Sequence, residues 1–138
     1  MHPALAIDHG DARIGIAATD PEGILAHPVE TIARRLTDPL ERIAALVAER
    51  GIRTLVVGLP LRTDGSEGDS AAKVRAFAAR LSARLPGLPL HFIDESFTTQ
   101  AAAAKLHQAG RNAKRQKSII DQAAAVEILN EWMGQSSS

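Results

Sequence analysis

The 138-residue chain has no cysteine and no tyrosine, and its aromatic side chains are three phenylalanines and one tryptophan. Without thiols there is no disulfide framework, no thiolate zinc site, no cysteine nucleophile and no redox pair. Charge of one sign is missing too. Lys plus Arg and Asp plus Glu number 16 each, so attraction for a polyanion must come from a local patch rather than from the chain as a whole. No run of 18 apolar residues occurs, and Met1–Ala6 lacks the basic stretch and apolar block of a signal peptide. The expectation is a cytoplasmic protein that neither spans a membrane nor is exported. With 25 alanines and so few aromatics, the core must be aliphatic, with helices lying close to a sheet, as in a layered α/β protein. The length fits one domain, expected over residues 1–134 with a disordered tail at 135–138.

What is present is a readable order of elements. Leu5-Ala6-Ile7 runs into Asp8, His9-Gly10-Asp11 has turn chemistry, and Ile14–Ala18 resumes the strand pattern, which predicts a hairpin. Ala26–Ile32 predicts a third strand, placed at an edge because Pro28 cannot donate to a ladder. Thr37-Asp38-Pro39 supplies a cap and an N-terminal proline for a helix carrying Leu40, Ile43 and Val47 and closed by Gly51. Thr54–Gly58 is a continuous apolar run, as in a strand buried on both faces. Val74, Phe77 and Leu81 mark a second helix, Leu90–Asp94 a fifth strand, and Thr98–Ala109 and Ile119–Met133 two further helices. The string β-β-β-α-β-α-β-α-α predicts a mixed five-stranded sheet with helices on both faces, in ribonuclease H-like order.

Parallel strands end on one edge of such a sheet, where open α/β sheets bind ligands. Asp8 ends the first strand there and Glu95 follows the last. Asp121 opens the helical stripe Ala124, Ala125, Ile128, Leu129 and Trp132, so it sits on the face that packs on the sheet. Taken singly, such an Asp is a turn residue or a cap. Taken together, three converging carboxylates repel one another unless a cation lies between them. Hard oxygen donors select Mg²⁺ or Mn²⁺, and a pair of such ions suits phosphodiester hydrolysis. Lys105, Arg111, Lys114, Arg115 and Lys117 form a basic run without an acid, either a solvated inter-helix loop or a footprint for a phosphate backbone. The stretch from Leu59 to Gly68, with Arg62, Asp64, Gly65 and Ser66, is long for a βα connection and reads as a mobile flap or a plain loop. His9 and His27 lack ligand spacing and are read as structural or solvent-facing histidines.

Four blocks carry a resemblance. They are Ala6-Ile7-Asp8-His9-Gly10 with Arg13-Ile14-Gly15-Ile16-Ala17, Val56–Pro60 with Asp64–Gly68, Asp94–Thr99, and Lys114–Lys117 before Asp121–Ala125. In order and spacing, across nearly the whole chain, they resemble the YqgF/RuvX family. The resemblance implies a ribonuclease H-like nuclease related to Holliday-junction resolvases and a role in maturing the 5′ end of precursor 16S ribosomal RNA, so that RNA, branched DNA or both are the expected partners. It assigns Asp8, Glu95 and Asp121 to catalysis and to metal binding, and adds Arg13 to the basic residues that hold nucleic acid. The family's usual arginine after Asp-Glu is Ser96 here, leaving Arg13 or the Lys114–Lys117 cluster to supply a cation. A resolvase would act as a homodimer, because one site cuts one strand. Two other readings stand beside this one: a binding or ribosome-assembly factor of the same fold that cleaves weakly, and half of an actin-like phosphate-binding ATPase.

Overall fold

The computed structural model describes residues 2–62, 64–94 and 113–136, with side chains over 122–135 in the last segment. The elements are β1 (Ala4–His9), β2 (Arg13–Thr19), β3 (Ala26–Ala33), α1 (Pro39–Arg50), β4 (Thr54–Leu59), α2 (Asp69–Arg84), β5 (Leu90–Asp94) and α3 (Ala113–Ser136). They build one five-stranded sheet in the order β3-β2-β1-β4-β5. The first three strands pair antiparallel, and β1, β4 and β5 run parallel. β1 is therefore the central strand, and β4, buried along its whole length, lies beside it.

Local chemistry explains the boundaries. Asp38 caps α1 by accepting a hydrogen bond from the Leu40 N–H at 3.0 Å, Pro39 takes the first helical position, and Gly51 closes the helix at φ +63°. At the β3 edge the ladder steps from Ile16–Glu30 to Ala17–Pro28 and skips Val29. The proline and the bulge together blunt an edge that would otherwise template further pairing. The expected helix Thr98–Ala109 lies outside the described residues.

Two expected limits change. The last helix begins at Ala113 rather than Ile119, so Lys114, Arg115 and Lys117 belong to helical backbone and not to a loop. Lysine, arginine and glutamine are good helix formers, and the segment contains no glycine or proline to stop the helix earlier. At the other end residues 135 and 136 continue the helix instead of fraying, with the Gln135 side chain reaching back to the Glu131 carboxylate one turn earlier at 3.4 Å.

Strand alternation divides the core into two unequal halves. Leu5, Ile7, Ile14, Ile16, Leu55 and Val57 face α1 and α2, where they meet Ile43, Leu46, Val74, Phe77 and Leu81. The opposite face offers mainly Ala4, Ala6, Ala17 and Val56, and among the described residues α3 covers it with Ala125, Ile128, Leu129 and Trp132. Small side chains on the sheet let this helix lie close, which is how a chain rich in alanine and poor in aromatics fills its second layer.

Candidate functional site

Asp8 is the last but one residue of β1, at the carboxyl edge of the parallel strands. Alternation assigns it to the α3 face, because Ala4 and Ala6 belong to that layer. Its register partner is Gly15 on β2, and Gly15 in turn pairs with Thr31 on β3. Thr31, Gly15 and Asp8 thus form a row across three strands, about 10 Å from end to end at the usual strand spacing. The middle member has no side chain, so the row contributes one carboxylate and one hydroxyl.

The last helix is fixed over this row at one point and anchored at the far end of the sheet. Gln122 donates from its side-chain amide to the Thr31 hydroxyl at 3.0 Å. Ten residues on, Trp132 packs edge-on against His2 at 5.4 Å between ring centroids and against His91 at 6.1 Å. Since His2 precedes β1, α3 runs opposite to β1, and its earlier turns lie toward the edge where Asp8 ends. Asp121 is the neighbour of Gln122 in the same helical turn. The backbones of Lys114, Arg115 and Lys117 come five to eight residues before Gln122, about 8–12 Å further along the axis. The side chains of Asp121, Lys114, Arg115 and Lys117 lie outside the description, as do Glu95, Lys105 and Arg111 altogether.

Other residues singled out in the sequence take definite positions. Arg13 opens β2 and lines a groove of about 740 Å³ with Asp11, Ala12 and the 33–36 segment. The segment from Arg62 to Ser66, expected to be mobile, folds back on itself. A bridge pairs Leu61 with Glu67, Arg62 N–H donates to Ser66 C=O at 2.8 Å, and Gly65, at φ +86°, donates its N–H to Arg62 C=O. Asp64 accepts from the Ser66 N–H and hydroxyl, contacts that hold its carboxyl below the usual range. Glu67 is clamped by Arg75 at 2.6 and 2.8 Å, which ties the turn to α2. Thr63 is outside the described residues.

His9 is the residue that the sequence undervalues. Next to Asp8 and on the opposite face, it stacks on Phe77 at 4.8 Å between ring centroids, and its Nε2 accepts from Arg34 at 2.9 Å. Burial first, and the Arg34 charge second, push its pKa below 6.5 and favour the neutral ring that this contact needs. Among the described residues no three His, Asp or Glu gather into a metal-ligand cluster, and no helix is long and apolar enough to cross a membrane.

The order of strands, with α1 and α2 on one face and α3 on the other, is that of a ribonuclease H-like fold. It matches Thermus thermophilus RuvC, solved in complex with a Holliday junction substrate, at a TM-score of 0.59 with 16% identity, covering 100% of this chain and 98% of that one. A second Thermus thermophilus RuvC structure matches at 0.54 with 14% identity, covering 99% of this chain and 97% of that one. Residues 2–135 match RuvX, described as Holliday junction resolvase, and the chain belongs to that family. Among curated proteins it is 48% identical over 129 residues to one from Nocardioides sp., covering 91% of this chain and 83% of that one. It is 44% identical over 133 residues to one from Mycobacteroides abscessus, covering 95% and 80%. Both relatives carry the name "Putative pre-16S rRNA nuclease".

Proposed function

We propose that this protein is a metal-dependent endonuclease that hydrolyses phosphodiester bonds in structured nucleic acid, with Asp8, Glu95 and Asp121 as its catalytic and metal-binding acids. The carrying observation is the placement of Asp8 at the carboxyl end of the central strand, on the face that α3 crosses with the turn holding Asp121. Family membership and the names of the relatives supply the reaction class. Precursor 16S ribosomal RNA is the substrate that the relatives' names favour, and a four-way DNA junction is the one that the family description favours.

The donor chemistry suits Mg²⁺ or Mn²⁺. Asp8 offers a hard carboxylate beside Gly15, which brings no side chain, and the chain has no cysteine to favour a softer metal. Bound by these acids, a pair of ions would supply charge neutralisation at the scissile phosphate and acidify the attacking water. The chain's own contribution is to position and to hold. β1 fixes Asp8 through its register with Gly15 of β2, one residue beyond the Ile7–Val57 pair with β4, and the Gln122–Thr31 hydrogen bond fixes the turn of α3 opposite it. Arg13, Lys105, Arg111, Lys114, Arg115 and Lys117 would contact backbone phosphates, and the 62–66 turn would border the substrate as a flap. Cutting both strands of a symmetric junction takes two such sites and therefore two copies of the chain.

The test is cleavage of a labelled 5′ fragment of precursor 16S RNA and of a four-way DNA junction, in Mg²⁺, Mn²⁺ and EDTA, by wild type and Asp8→Asn. Defined cuts that need the metal and disappear in Asp8→Asn, with binding retained, are expected. Tight binding with no cut in any condition would instead establish a binding factor of this fold, the reading to which Ser96 points.

A further inference from the structure

The sheet edge that ends in Asp8 has a second side, facing α2. A cleft of about 330 Å³ opens there, lined by His9, Asp11, Arg34, Lys73, Phe77 and Arg80. It continues past Arg34 into the groove that holds Arg13 and Arg35. Asp11 is the acid in both linings, so the walls carry an excess of positive charge in a chain whose total is zero.

Each cation of this cleft is displayed rather than neutralised. Among the described residues Arg34 is held through Nη1, which donates to His9 Nε2 and to Gly10 C=O, both at 2.9 Å. Its guanidinium lies over Phe77 at 6.0 Å, so the fork is fixed while the N–H groups on Nε and Nη2 remain for a ligand. Lys73 touches Asp11 at 3.3 Å, a contact exposed at both ends (60% and 81%) and therefore weak and exchangeable. Arg80 is exposed and makes no ion pair among the described residues. Lys73 and Arg80 are seven residues apart on α2, on the same face as Phe77, about 10 Å along the axis and thus about three rises of a nucleic-acid strand.

We infer that this cleft binds the sugar-phosphate backbone of the nucleic acid, through Arg34, Lys73 and Arg80, on the side of the sheet opposite the acids. The inference rests on the nuclease reading and extends it. Asp8 and His9 are consecutive and project to opposite faces, so a strand passing over the Gly10–Ala12 loop meets the acids on one side and these cations on the other. The site engages phosphates, not bases: its charged donors suit an oxyanion, and Phe77 is buried beneath Arg34 and His9.

The experiment is fluorescence anisotropy of a labelled single-stranded RNA and a labelled four-way DNA junction in EDTA, from 50 to 300 mM KCl. Wild type is compared with Arg80→Ala, with Lys73→Ala/Arg80→Ala, and with Arg53→Ala as an exposed control at the opposite edge of the sheet. Each phosphate contact contributes about 0.7 to the slope of log affinity against log salt for a single strand and about 0.9 for a duplex. Arg80→Ala should lower the slope by that amount and the double variant by about twice as much, with Arg53→Ala unchanged. A double variant that binds with the wild-type slope overturns the cleft and leaves the nuclease reading standing. A wild type that binds neither probe overturns both.

Discussion

Leu81 and Leu129 are both fully buried, one in each half of the core, and the same truncation should cost different amounts in the two places. Leu→Ala in a core removes the same transfer free energy everywhere, and the remainder depends on how far the neighbours can collapse into the cavity. Around Leu81 the neighbours include Leu46, Leu55, Val74 and Phe77, side chains with rotamers to shift. Around Leu129 the sheet offers Ala4, Ala6 and Ala17, which have none. The cavity in Leu129→Ala therefore persists unless the whole helix moves. We expect Leu81→Ala to cost about 3 kcal/mol and Leu129→Ala about 4–5 kcal/mol, the lower and upper ends of the observed range. With an unfolding entropy of about 0.3 kcal/mol/K for a chain of this size, the difference corresponds to about 5 °C in Tm. Urea unfolding followed by circular dichroism measures it, provided both variants keep the wild-type m-value. If Leu81→Ala is as costly as Leu129→Ala or costlier, the argument that alanine faces cannot relax is wrong.

The Gln122–Thr31 hydrogen bond should act as the positioning contact for α3 over Asp8. In a cycle of Thr31→Val, Gln122→Ala and the pair, urea unfolding should return a coupling energy of about 1 kcal/mol, and zero coupling would remove this contact from the account. Glu30 is clamped by Arg42 at 2.7 and 2.9 Å, and those hydrogen bonds hold its carboxyl below the ordinary 4.5. A depressed native pKa means that the unfolded chain binds the proton more readily, so this stabilisation is complete above pH 4.5 and is lost as the pH falls through the lowered value. The stability gap between wild type and Glu30→Gln should be constant from pH 5 to 7 and narrow below 4.5; a gap that persists at pH 3 would refute the assignment.

Much of the sheet was legible because each strand had its own local signal. Two short apolar stretches either side of the His9-Gly10-Asp11 turn gave β1 and β2, the continuous apolar run gave β4, and Pro28 gave the edge. The cap at Asp38 and the stop at Gly51 bounded α1 to the residue. The start of α3 was not legible, since a run of lysines and arginines satisfies a solvated loop and an exposed helix equally well. Of the site, Asp8 could be read from its place at a strand end. The cleft on the α2 side could not: Arg34 is far in sequence from Lys73 and Arg80, and each alone is an ordinary surface charge. His9, read as structural, gives no sign in sequence that it braces an arginine. Only the packing of α2 on the sheet, which sets His9 beside Phe77, brings these residues together.

The unequal halves of the core also bear on how the chain is made. Synthesis proceeds from the N-terminus, and surface exposed while a chain is incomplete invites aggregation. The face of the sheet rich in isoleucine and leucine is covered by α1 and α2, which emerge directly after the strands they protect. The face that must wait for α3, which follows all the other described elements, is the one lined mainly with alanine. A growing chain thus leaves uncovered longest the surface that is least adhesive to its neighbours.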